Sequence, residues 1–451
     1  MRKMVAAKKE LLSILFIFIV SFIGYLANLP SDYYRSLNRH NHRRLLTSLD
    51  AFPNTALPYL LIKYKTFEFG KALGAFYLTQ DTAKIPYYLI NINGHYFSKY
   101  PIFTGLMAIP IYLIPVLLNK IPGFTYYDSI VNILTLGRIA ASLYASLSVL
   151  IILLIIRNIK KTIYDNNLDK WDYAFGLFYA FGTTTYSVSS RSLWQHTTAQ
   201  FIVSLITLYL LKSLKNPKLV YWTGLLSGIA VLCRPTTISL AVIVSIYVLV
   251  THKNYFLKYI LFSLPPVAFF IIYNYVIFGS ILGNGYQLSG DTKFNGNVLE
   301  GIAGLLFSPS RGILFYSTPL FLFIPEIYEI FKKFIKQRFS VINYDILTLF
   351  LSIALIFHLI IVSLWWCWWG GDSAGYRMLT EYLPIIGLLS YSAFYKLKNK
   401  YRYLMLITMI FSFYVNINLV IFNISRCETP NNWSFDCLLP ANEIKELIKH
   451  E

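Results

Sequence analysis

"WWCWWGGDSAGYR", residues 365–377, follows directly on the apolar run "LFLSIALIFHLIIVSL", residues 349–364. The run has the character of a helix that crosses a hydrocarbon core, which takes ~20 apolar residues. Tryptophan favours the boundary between membrane and water, and paired glycines let a chain turn sharply. Neither calls for an acid and a base alongside. The stretch therefore marks the end of a membrane helix, with Asp372 and Arg377 standing where the chain leaves the bilayer.

The rest of the chain extends this reading. Of its 451 residues 56% are hydrophobic and only 14% charged, and the apolar residues come in long blocks. That composition predicts an all-α polytopic membrane protein. The net charge of +19 does not point to nucleic acid. The lysines and arginines sit in short loops between apolar blocks, as the positive-inside rule requires, and no soluble basic domain is present to carry such binding. Cys233 and Cys367 lie at membrane ends; only Cys427 and Cys437 are placed to pair, and then only in an oxidising space.

Charge also orients the chain. "RNIKKT" (157–162), "KSLKNPK" (212–218), "THKNYFLK" (251–258), "KKFIKQR" (332–338) and "KLKNKYR" (396–402) read as cytoplasmic. "SSRSLWQH" (189–196), "CRPTT" (233–237), residues 279–312 and "WWCWWGGDSAGYR" then fall outside. The pattern gives about eleven transmembrane helices, N-terminus in the cytoplasm and C-terminus outside. The basic start followed by a long apolar run predicts an uncleaved first helix over 11–29. Residues 30–128 form a large first extracytoplasmic loop of interfacial helices. The apolar stretch within it that contains Pro110 and Pro115 does not cross, since a crossing would turn every basic loop outward. One membrane domain over 1–424 and a short outer tail over 425–451 complete the organisation, in a multi-pass protein of the cell membrane.

The unusual polar residues collect on the outer side: Asp50, Lys99, Arg138, Arg191, His196, Arg234, Arg311, Asp372 and Arg377. Short outer loops ordinarily avoid arginine, and charges near the apolar region are costly unless paired or functional. Together they predict a polar cavity open outward. Arg138 lies well inside an apolar block, where a charge costs about 2.5–3.5 kcal/mol on insertion scales. It either snorkels or pairs structurally, or it holds a ligand. Gly137, Ala141 and Ala145 beside it repeat every fourth residue and read as a close-packing face. Asp50 precedes a helix begun by a proline and Lys99 an amphipathic stretch begun by another, so a turn former and an interfacial lysine are the simpler roles. Trp194, Gln195 and His196 stand at the outer start of a helix, where a lone histidine is more often a hydrogen-bonding residue than a catalyst.

No phosphate-binding glycine loop, zinc-ligand spacing or serine hydrolase elbow is present. "HNHRR" (40–44) puts its histidines two apart, on different helix faces, and makes no metal site. Arg35, Arg39 and Arg43 form one helical stripe suited to membrane-surface anchoring or to phosphate headgroups.

Seven stretches in order along nearly the whole chain carry a resemblance: "DAFPNTALPYLL" (50–61), "GHYFSKYPIFTGLMAIPIY" (94–112), "GRIAASLYASLS" (137–148), "FGTTTYSVSSRSLWQH" (181–196), "CRPTT" (233–237), "GLLFSPSRGILFYSTPLFL" (304–322) and "WWCWWGGDSAGYRMLTEYLP" (365–384). In this series the chain resembles the GT-C superfamily of membrane glycosyltransferases, which includes protein O-mannosyltransferases and the lipid A aminoarabinose transferase. The resemblance implies a GT-C-like fold and transfer of a sugar from a polyprenyl-phosphate carrier to a hydroxyl on a glycan, lipid or protein, outside the cell. It implies Asp50 as the base or acceptor-positioning acid, and Lys99, Arg138, Arg311 and Arg377 as cations for the carrier phosphate. Arg191, Trp194, His196, Arg234 and Asp372 would line the substrate pocket. The sequence departs from the pattern at two points. Relatives often have proline where this chain has Tyr376, and many carry paired acids where Asp50 is followed by Ala51. Asp81, Asp128 or Glu68 would have to supply a second carboxylate. Without one the implied reaction is metal-independent and cofactor-free, although some members use a divalent ion. A flippase for lipid-linked sugars and a glycan ligase or polymerase are the alternative classes. The ligase is disfavoured because the large loop comes early, and the flippase because the inner halves of the helices carry no charge.

Overall fold

A computed structural model describes residues 2–27, 48–70, 86–117, 126–283, 285–290, 293–336, 344–371, 373, 375–422, 433 and 435. Asp372, Asp81, the Arg35–Arg39–Arg43 stripe, Cys427 and Cys437 lie outside the described residues. Helices predominate, and the one sheet among the described residues is a two-stranded hairpin. Among the described residues, five helices are long and apolar enough to cross a membrane: Lys8–Leu26, Asn132–Thr162, Lys253–Phe278, Tyr344–Leu364 and Asn399–Val420. Shorter apolar helices, among them Phe103–Leu117 and Pro235–Thr251, accompany them. This is an all-α membrane protein. The helix Tyr344–Leu364 stops where the tryptophan-rich stretch begins. Phe103–Leu117 continues through Pro110 and Pro115, but at 15 residues it is short for a crossing.

The chain divides into two compact units. One comprises Met1–Ser21, Val149–Val188 and Phe294–Glu451 and is called here the Arg311 unit; the other, the Asp50 unit, comprises Phe22–Ser148 and Ser189–Lys293. The sequence reads as one membrane domain, and the reason is plain. Two of the boundaries fall inside continuous helices, Arg2–Leu26 and Tyr126–Thr162, so no change of composition or linker marks them.

In the Asp50 unit, the helix Phe52–Tyr64 starts with Pro53 near its N-terminus, where the missing N–H is harmless. Every residue from Phe52 to Leu60 is buried, so this helix is enclosed by protein and does not lie on a surface, as the interfacial reading expected. Its few polar residues, Asn54, Thr55 and Lys63, form no polar face that would mark one side for solvent. The hairpin Leu89–Ile92 with His95–Ser98 follows, pairing Ile90 with Phe97. Asn93 and Gly94 turn it with φ of 51° and 86°, the two positive angles that a tight hairpin turn requires. Close packing relies on small residues. A Cβ on Gly137 would lie 2.5 Å from Thr55, and one on Gly224 would lie 2.3 Å from the Tyr259 carbonyl oxygen. Gly137, with Ala140, Ala141 and Ala145 buried beside it, is the packing face read in the sequence.

In the Arg311 unit, Leu383–Lys396 is buried from Leu383 to Ser392 and packs on Thr318–Leu322 and Phe323–Lys336. Several cations of the basic segments are engaged in ion pairs. Lys160 meets Asp169 at 2.9 Å and Asp172 at 3.2 Å, Glu10 holds Arg157 and Lys161 at 3.0 and 2.7 Å, and Lys396 holds Glu326 at 2.6 Å. The Tyr391 hydroxyl donates to Asp172 at 2.7 Å.

Gly224→Ala should lower the stability of the Asp50 unit by about 1–3 kcal/mol, because the new methyl meets rigid backbone. A thermal melt in detergent reads this directly; an unchanged midpoint would show that Val220–Cys233 and Lys253–Phe278 do not approach so closely.

Candidate functional site

Two clusters of the expected residues form, one in each unit. In the Asp50 unit, Ser48 caps a single 3-10 turn, Leu49–Ala51, that presents Asp50 just ahead of the Phe52–Tyr64 helix. Two tyrosines close on its carboxylate: the hydroxyls of Tyr100 and Tyr87 donate to Oδ1 at 2.7 and 2.8 Å. These residues flank the hairpin, so the Asn93–Gly94 turn is what brings them to Asp50. Burial, followed by the charge of Asp50, holds the Tyr100 phenol far above its ordinary range, so it stays a donor at any physiological pH. Lys99 is buried, with its ammonium 6.0 Å over the Tyr100 ring. Gly285 sits against the Lys99 backbone, where a Cβ would come within 2.4 Å of the carbonyl. Tyr286, next in sequence, meets the Tyr100 ring edge-on at 5.5 Å and accepts a 3.4 Å hydrogen bond from Gln195 Nε2.

The remaining predicted residues of this unit, Arg138, Arg191, Trp194, His196 and Arg234, are buried. Trp194 and His196 are in edge-to-face contact at 6.3 Å. Arg138 donates from Nη1 to the Arg191 carbonyl at 2.5 Å, which ties the 189–196 segment to its helix. A hydrogen bond to a neutral carbonyl leaves the guanidinium its charge. Arg234 ends the helix Val220–Cys233, and its carbonyl accepts from both the backbone and the hydroxyl of Thr237. Glu68 stands 3.9 Å from His95 and accepts from the Gly70 N–H.

In the Arg311 unit, Arg311 is 1% exposed. Its Nη1 donates to the Ser310 carbonyl at 3.2 Å and its Nη2 to the Gly371 carbonyl at 3.1 Å. Arg377 reaches the same turn, since a Cβ on Gly370 would lie 3.1 Å from Arg377 Nε. The Cys367 thiol registers both cations: burial raises it, while Arg377 and Arg311 pull it down. The turn itself needs glycine. Gly370, Gly371 and Gly375 have φ of 80°, 63° and 58°, values that side-chain-bearing residues seldom adopt. Ser308, Ser310 and Ser373 are buried around it, with Ser308 and Ser310 hydroxyls 3.0 Å apart. Trp368 anchors the turn by packing against Gly304, where a Cβ would meet its ring at 2.1 Å.

Tyr376 directly precedes Arg377. It is fully buried, and its hydroxyl meets Ser317 Oγ at 2.5 Å and the Thr184 N–H at 3.4 Å. It fixes the chain one residue before Arg377, a duty that proline would perform by rigidity. The sequence reading missed Tyr87, Tyr100 and Tyr286, for which the Asn-Gly turn was the available signal. It also missed Glu381, buried 3.6 Å from His358, whose ring stacks on Tyr382 at 3.8 Å.

No family model, no curated protein and no solved structure matches the chain.

Alanine at the three left-handed glycines should separate strain from crowding. Gly371→Ala, with open space at Cβ, should cost about 1–2 kcal/mol from backbone strain alone. Gly375→Ala should cost more, since its Cβ also meets Tyr316 at 3.2 Å and Thr184 at 3.4 Å. Thermal unfolding of the two variants checks the order, and the reverse order would refute the turn geometry.

Proposed function

We propose that the protein is an integral membrane glycosyltransferase of GT-C type, moving a sugar from a polyprenyl-phosphate donor to a hydroxyl acceptor on the extracytoplasmic face of the cell membrane. The observation that carries the reading is the convergence of Arg311 and Arg377 on the Gly370–Gly371 turn. Guanidiniums bind phosphate oxygens through short, charge-assisted hydrogen bonds in a planar fork. A phosphate ester carries such oxygens, and the buried serines add donors for those that remain. The long apolar helices suit a lipid carrier, and the multi-pass arrangement of about eleven crossings follows from the charge pattern.

The chemistry assigns one task to each cluster. The bond from the anomeric carbon to the phosphate oxygen breaks as the bond from the acceptor oxygen to that carbon forms. The electron pair leaves on the phosphate, where Arg311 and Arg377 stabilise the developing charge without reorganising. The acceptor hydroxyl needs a carboxylate to take its proton, the role that the resemblance gives to Asp50, whose carboxylate Tyr87 and Tyr100 orient within its own unit. Displacement of this kind inverts the anomeric centre.

The test uses purified protein in lipid nanodiscs, radiolabelled polyprenyl-phosphate sugars and a membrane extract as the source of acceptor. Asp50→Asn should reduce transfer by about 10²–10⁴-fold, the usual share of a general base. Arg377→Ala should reduce it by about 10²–10³-fold, the effect of removing one charge-stabilising donor. Equal transfer by wild type and Asp50→Asn would move the base elsewhere. Binding of donor without transfer to any acceptor would replace the transferase by a transporter of lipid-linked sugars.

A further inference from the structure

The Asp50 cluster carries groups that the transfer step does not use. Gln195 is 7% exposed, its Nε2 is engaged with Tyr286, and its Oε1 has no hydrogen-bond partner. A buried amide oxygen without a donor is costly and asks for one from outside the chain. From Gln195 a continuous path runs through Tyr286 and Tyr100 to Asp50, by a 3.4 Å hydrogen bond, a 5.5 Å ring contact and a 2.7 Å hydrogen bond. Its two ends are acceptor oxygens, a carboxylate and an amide, and the surfaces between and beside them are aromatic. The Tyr87 ring, 54% exposed, extends that surface on the other side of Asp50.

Acceptor oxygens set among tyrosine rings suit two kinds of ligand, an organic cation or a neutral polyol. A cation would be held by the ring faces and the carboxylate. Here Lys99 already supplies one: its buried ammonium lies 6.0 Å over the Tyr100 ring. A second positive charge would be repelled across poorly screening protein. A neutral sugar meets no such repulsion. Its hydroxyls donate to Gln195 Oε1 and to the carboxylate, and the C–H face of its ring packs on tyrosine.

We infer that the cluster of Asp50, Tyr87, Tyr100, Tyr286 and Gln195 is a binding site for a neutral carbohydrate, so that the acceptor is a glycan and not a protein or lipid hydroxyl. The acceptor role rests on the transferase reading; the binding of sugar does not.

The experiment separates the two. Wild-type protein in nanodiscs is titrated, by saturation-transfer NMR, with neutral mono- and trisaccharides of glucose, galactose and mannose, and separately with a cationic glucosamine trimer. In parallel, binding of a short-chain polyprenyl phosphate is measured. At least one neutral sugar should bind, better than the cationic trimer. Gln195→Leu and the surface variant Tyr87→Ala should each weaken it about tenfold, the loss of one hydrogen bond or one ring contact, while polyprenyl phosphate binding is unchanged. Failure of every neutral sugar to bind, preference for the cationic trimer, or wild-type sugar binding by both variants would overturn the inference. Sugar binding without polyprenyl phosphate binding would leave the site standing and remove the transferase reading instead.

Discussion

A guanidinium cannot be dehydrated cheaply, and Arg311 is almost completely withdrawn from solvent. Its donors therefore have to find oxygens, and two of those are backbone carbonyls, of Ser310 and Gly371. This demand explains the shape of the turn at the end of Tyr344–Leu364. Left-handed glycines at 370, 371 and 375 fold the backbone tightly enough to bring a carbonyl to Arg311 and to lay Arg377 over Gly370. Trp368 on Gly304 and Tyr376 on Ser317 hold the two ends of that turn. The tryptophan and the glycines of this stretch serve one requirement, bringing two cations, Arg377 of the stretch and the distant Arg311, to one turn.

The Asp50 unit answers a different constraint, the orienting of a carboxylate. Tyrosine hydroxyls serve this, because they donate hydrogen bonds yet carry no charge. Both approach the same oxygen, Oδ1, and so set the direction the carboxylate faces. The Lys99 ammonium lies 6.0 Å over the Tyr100 ring, so a cation and a carboxylate share one tyrosine. Arg138 is deployed toward a backbone carbonyl.

Much of this was legible in the order of residues. Helix after helix follows from the apolar blocks, because burial in lipid or protein rewards the same residues. The ends of blocks showed where charged residues stand, Asp50, Lys99, Arg311 and Arg377 among them. The enclosure of Phe52–Tyr64 was not legible, since a helix without a polar face fits a membrane and a protein interior equally well. The pairing of Lys161 with Glu10 and of Lys396 with Glu326 was hidden as well, because those partners come from distant segments.

The sequence by itself determined the class, an all-α membrane protein, since hydropathy is a property of each residue and adds up along the chain. It also determined which residue types would be expensive to bury, and hence where to look. Only the tertiary structure decided who neighbours whom: Tyr100 and Tyr87 on Asp50, Gln195 on Tyr286, Arg311 on Gly371. Those neighbours are separated by tens of residues or more, and their meeting depends on backbone turns such as Asn93–Gly94 and Gly370–Gly371. A hydrogen bond works over about 3 Å, and no pattern of sequence spacing fixes a distance that short between remote segments.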